Sequence, residues 1–103
     1  MRVERWDEAK DGPLTELGLR RKIESRGFRV NRYVYPPGTS FPTHTHEVDK
    51  MDAVVSGQFR ITMPDGAVIL GPGDAVAISA GVKHSAEVVD EKAVVSLDGV
   101  KVF

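Results

Sequence analysis

Gly38-Thr39-Ser40-Phe41-Pro42-Thr43-His44-Thr45-His46 is the stretch on which the reading of this chain turns, together with Gly81-Val82-Lys83-His84 further along. These two segments hold all 3 histidines of the 103-residue sequence. Both read as β-strand, and residues two apart on a strand share a face. His44 and His46 can therefore grip one ion while His84 closes from a neighbouring strand. Neutral imidazole is the commonest metal ligand, so the spacing predicts a metal site at His44, His46 and His84.

Working outward from this stretch, glycine and proline punctuate the chain at short intervals, and the runs between them are rich in Val, Ile, Phe and Tyr. That pattern predicts an all-β sandwich or barrel. Strands are expected at Leu19–Glu24, Phe28–Tyr35, Ser40–His46, Met51–Ser56, Gln58–Met63, Ala67–Leu70, Ala75–Ile78, His84–Val89 and Ala93–Lys101. Ser25-Arg26-Gly27, Gly57, Pro64-Asp65-Gly66 and Asp90-Glu91-Lys92 are turn-type residues between these runs and imply antiparallel hairpins. Any helix is confined to the first twenty positions. Residues 1–18, which mix Trp6 and Leu14 with charges, form an N-terminal arm or an added strand, and residues 19–103 form the β-barrel domain. Tyr33, Tyr35, Phe41, Met51 and Phe59 are expected in the core or lining a pocket. Arg32 is in register with Val30 and Val34, and reads as a snorkelling surface arginine before an internal carboxylate anchor.

The composition narrows the partners. A formal net charge of -1, with no run of like charge, argues against nucleic acid and against an anionic membrane surface. Absence of cysteine removes a thiolate nucleophile, a disulfide framework and a cysteine-type zinc site. Met1 to Lys10 is charged and lacks an apolar leader segment, so the expected location is the cytoplasm. The expected assembly is a homodimer built through edge strands or the N-terminal arm.

At this point the residues resemble the cupins, a family of small β-barrels with two motifs around a metal site. Gly38, His44-Thr45-His46, Lys50 and Gly57 keep the spacing of the first motif, and Gly73, Ser79, Gly81, His84 and Val88 that of the second. Pro36-Pro37-Gly38 and Gly71-Pro72-Gly73-Asp74 resemble the turns that lead into them. The resemblance implies a single cupin-like antiparallel β-barrel or jelly roll. It also implies a divalent transition metal (Fe, Mn, Ni, Cu or Zn) and a small-molecule ligand or substrate. Three positions depart from the pattern: Lys50 stands where a glutamate ligand is expected, Ser79 replaces a proline and Val88 an asparagine.

Lys50 changes the chemistry. An ammonium about 5 Å from a divalent ion repels it by several kcal/mol at an effective dielectric near 20. Period-two alternation puts Asp52 on the face of Lys50, where the two can pair and cancel much of that field. Burial beside an ion would instead deprotonate the lysine, and the sequence leaves both open. Glu47 and Asp49 alternate away from the histidine face, so either joins as a fourth ligand only through a bulge. The functional reading is a metal-dependent enzyme, of dioxygenase or isomerase/hydrolase type, acting on a small polar molecule, with Lys50 as the catalytic residue that pairs with a substrate anion or moves a proton. The alternatives are a binding barrel without turnover and a metal-free structural barrel.

Overall fold

The computed structural model describes residues 1–102; Phe103, the last position of the expected barrel span, lies outside them. Nine strands and two helices follow one another as β1 (Arg2–Glu4), α1 (Glu8–Asp11), α2 (Glu16–Glu24), β2 (Phe28–Tyr35), β3 (Ser40–His44), β4 (Lys50–Ser56), β5 (Phe59–Met63), β6 (Gly66–Leu70), β7 (Ala75–Ile78), β8 (His84–Val88) and β9 (Val94–Lys101). They form two antiparallel sheets, one of five strands in the order β1-β7-β4-β9-β2 and one of four in the order β3-β8-β5-β6. This is the jelly-roll class expected from the sequence.

The chain passes from one sheet to the other at almost every turn. Of the turns expected to make hairpins, only Pro64-Asp65-Gly66 does so, joining β5 to β6 with Met63 opposite Gly66. Gly57 and Asp90-Glu91-Lys92 are corners between the sheets, because β4 and β9 belong to one sheet and β5 and β8 to the other. At Gly57 the corner demands glycine: φ is 87°, and a Cβ there would lie 2.5 Å from the Ala93 carbonyl oxygen.

Residues 19–24 correct the expected strand. They belong to helix α2, which extends past the first twenty positions, and Ser25-Arg26-Gly27 is its exit. Thr15 caps the helix by accepting from the Gly18 amide at 3.0 Å. Leu19 and Ile23 lie one turn apart on its inner face, both buried. A four-residue spacing satisfies the strand period and the helix period alike, which is why the segment misread.

Alternation along the strands divides the apolar residues into two cores. Val54, Phe59, Ile61, Leu70, Val76, Ile78, Val88 and Val94 fill the space between the sheets. Met51, Ala53, Ala75, Leu97 and Val30 face outward and are covered by Leu19 and Ile23 of α2. The five-stranded sheet is thus buried on both faces along its centre. Arg32 lies on the helix side and donates to Glu16 at 2.9 Å, a surface pair as expected. Tyr33, expected inside, is 44% exposed on edge strand β2.

Candidate metal centre and the wall facing it

The three histidines meet at one end of the space between the sheets. His44 ends β3 and lies directly opposite His84 at the start of β8. His46 lies past the end of β3, outside the strand expected to reach it, in a loop anchored by its own carbonyl, which accepts from the Gly81 amide at 2.9 Å. Asp49 fixes the same loop, accepting from the Ala80 amide at 2.8 Å, and so is used structurally. Among the described residues, neither Asp49 nor Glu47 joins the histidine group.

The ligand atoms of His44, His46 and His84 all lie within 4.8 Å of one another. Nδ1 of His44 is 2.7 Å from the Pro42 carbonyl oxygen, and Nδ1 of His84 is 2.9 Å from that of Val82. A carbonyl only accepts, so each Nδ1 carries the hydrogen and each Nε2 keeps its lone pair for the cavity. The Nε2 atoms of His44 and His46 are 3.1 Å apart. Two nitrogens bound at ~2.1 Å to one ion at right angles would stand about 3 Å apart, so the donors suit a divalent transition metal. Burial holds the His46 imidazole below its ordinary pKa, with Lys50 and the other two histidines acting the same way. Burial also lowers His84, against the opposing bond to Val82. Both shifts favour the neutral form that ligates.

The opposite wall is charged. Alternation brings Lys50 and Asp52 of β4 inward, and Asp52 lies directly across from Asp98 of β9. Lys50 is 8% exposed and bridges to both acids, contacting Asp98 most closely, with Asp52 Oδ1 at 3.6 Å. The expected Lys50–Asp52 pair is therefore a three-group cluster. Burial works against the Lys50 ammonium, but Asp52 and Asp98 outweigh it and hold the pKa above the ordinary lysine value in the metal-free cluster. Burial pushes the Asp52 carboxyl up to about 8, helped by the hydrogen bond to Asp98. Burial opposes Asp98 ionising too, yet its bonds to Asp52 and Lys50 bring it below the usual carboxylate value. With Asp52 pushed up and Asp98 brought down, the two acids titrate as a pair that shares one proton, favoured on Asp52.

Asp98 is the site residue that sequence reasoning missed. Its signal was a lone acid inside Val94-Val95-Ser96-Leu97-Asp98-Gly99-Val100, on the same alternating face as the buried Ser96. Between the two walls lies a cavity of about 200 Å³, bounded by the histidines, the Lys50 cluster and Ser96, and closed on its apolar side by Tyr35, Phe41, Phe59 and Ala86. Phe41 and Phe59 meet edge to face, with Tyr35 against both. Tyr35 is raised to about 12 by burial and by the nearby Asp98 and Asp52, so its phenol stays protonated.

Fold and site together define a jelly roll with a histidine centre in its mouth. The chain belongs to the cupin family: the Cupin domain profile matches residues 31–100. Among solved structures it is similar to KdgF from Halomonas sp., with 22% identity, a TM-score of 0.64, and coverage of 75% of this chain and 72% of that one. It is also similar to the DMSP lyase DddQ from Ruegeria pomeroyi DSS-3 (22% identity, TM-score 0.66, 74% of this chain and 39% of that one). A third likeness is to oxalate decarboxylase from Bacillus subtilis (20% identity, TM-score 0.65, 73% of this chain and 22% of that one), whose structure concerns Mn(II) centres. The chain thus spans less than half the length of the lyase and the decarboxylase. These likenesses concern the fold. No curated protein matches the chain.

Proposed function

We propose that this cupin is a metal-dependent enzyme acting on a small polar molecule, with His44, His46 and His84 holding a divalent transition ion and Lys50 contacting the substrate. The observation that carries the reading is the convergence of three imidazoles, two of which, His44 and His84, turn their Nδ1 hydrogens to backbone carbonyls. When bound, the ion supplies Lewis-acid or oxygen chemistry at positions the protein leaves open. Proteins of the same fold include a lyase and a decarboxylase with Mn(II) centres, so the fold accommodates enzymes of this kind.

The chain's own residues set what enters and how it lies. A cavity of about 200 Å³ falls below the ~300–1,000 Å³ that suits drug-sized ligands, which favours a metabolite of few atoms. Tyr35, Phe41 and Phe59 exclude water from one side and receive the apolar part of the molecule. Lys50, kept as an ammonium, attracts an anionic group and orients it across the cavity from the histidines. Its charge is balanced by Asp98, so it need not repel the ion at full strength.

The test is metal analysis of untagged protein reconstituted at neutral pH. The wild type should carry close to stoichiometric metal, and His44→Ala and His84→Ala should each lose most of it. Full occupancy in both variants would place the metal elsewhere and end this reading.

A further inference from the structure

We propose that Asp52 is a second working group of the site, a carboxylic acid that faces the histidines beside the Asp98 carboxylate and yields its proton when positive charge arrives at the imidazoles. The inference rests on the metal reading above and assigns a role to Asp52, which that reading leaves idle. Toward that proton Asp98 and Lys50 act as positioning residues, whatever Lys50 contacts in the substrate.

Geometry is the foundation. Asp52 and Asp98 are directly opposite each other on adjacent central strands, with their side chains on the cavity face. The Oδ1 atoms of both are buried, and the one cation against them is the Lys50 ammonium, closer to Asp98 than to Asp52. Among the described residues, the charged or titratable groups facing the couple across the cavity are Lys50 on β4, Tyr35 on β2, His44 on β3, His84 on β8 and His46 in the loop after β3. One ammonium offsets one carboxylate. A second carboxylate in so dry a place would be uncompensated, so the couple keeps a proton.

That balance shifts when a divalent ion lies across the cavity. Added positive charge favours two carboxylates over a carboxyl and a carboxylate, and the Asp52 O–H bond breaks. Its electron pair stays on the Asp52 oxygen, and the proton passes to a basic atom of the bound molecule or to water. The cluster then carries two carboxylates against one ammonium, a net negative wall facing a positive centre. A lysine at the position of a family glutamate becomes compatible with metal, because the couple supplies the missing negative charge from across the strand pair. The same proton is in place for transfer to a molecule held between the walls.

Zinc alone tests this, by calorimetric titration of wild-type protein at neutral pH in two buffers of different ionisation heat. His46 and His84 are already depressed toward the neutral form and contribute few protons. The wild type should release about one proton more per zinc than Asp52→Asn, and Asp98→Asn should lose the same excess because its couple cannot form. Equal release in all three proteins overturns the proposal while leaving zinc binding, and thus the metal reading, intact. Absence of zinc binding in the wild type removes both. Should the variants not fold, difference infrared spectra of the wild type decide. A protonated-carboxyl band present in metal-free protein and lost on zinc addition supports the assignment, and a spectrum without that band overturns it.

Discussion

Lys50 concentrates the chemistry of the site at the scale of a single residue. Its ammonium is buried and tied to two acids, so substituting it acts on the metal and on the fold in opposite directions. Lys50→Glu should tighten zinc binding by about tenfold or more, each decade being ~1.4 kcal/mol, by replacing repulsion with attraction. The same change leaves three acids without a cation, so the metal-free variant should melt well below the wild type. Lys50→Met should bind zinc more tightly than wild type by a smaller factor, and should cost on the order of 3 kcal/mol by stranding Asp98. Zinc titration and thermal unfolding read both effects. An unchanged dissociation constant in both variants would mean that the ammonium exerts no field at the histidines.

Helix α2 shows at the element scale how one segment holds the charged sheet from behind. Leu19 and Ile23 cover Met51, Ala53 and Leu97, and these residues alternate with Lys50, Asp52 and Asp98 on the other face. The register that aligns the acids is therefore secured by apolar packing on the opposite side of the same two strands. Leu19→Ala should cost about 2–5 kcal/mol, measurable by urea denaturation. A change smaller than ~1 kcal/mol would show that the helix is dispensable to the sheet. Leu19 and Ile23, four residues apart, suit the strand and the helix period alike, and the Thr15 cap breaks the tie in favour of the helix.

The whole molecule carries a pH dependence that follows from the acid couple. Unfolded, both acids are ionised above about pH 5. Folded, the couple retains a proton until Asp52 titrates, at about 8. The native state therefore binds more protons across that window, and its stability falls as pH rises, with a slope approaching ~1.4 kcal/mol per pH unit for one proton. Metal-free wild type should lose stability from about pH 5 to pH 8, and Asp52→Asn should flatten that loss; parallel profiles in denaturant melts would contradict it. We further propose assembly as a homodimer. Strand β2 is an edge eight residues long, and it exposes Tyr33 at 44% and Val34 at 52%. A second copy would satisfy its unpaired backbone groups and cover those side chains. Light scattering at micromolar concentration should give twice the chain mass, and a monomer would refute the assembly.

Alternation and punctuation along the chain determined most of the strand content, the all-β class and the common face of Lys50 and Asp52. Those are local properties, set by a two-residue period and by where glycine and proline interrupt it. Only the tertiary structure decided which turns are hairpins and which are corners, because that depends on which sheet receives the next strand. It also decided that Asp98 is the nearer partner of Lys50. Pairing of β4 with β9 brings together residues 46 positions apart in the chain, and no local period encodes a register between strands so distant. That register depends on the packing of α2 on one face and of the facing sheet on the other, and it turns a lysine in a ligand's place into a balanced cluster across from the histidines.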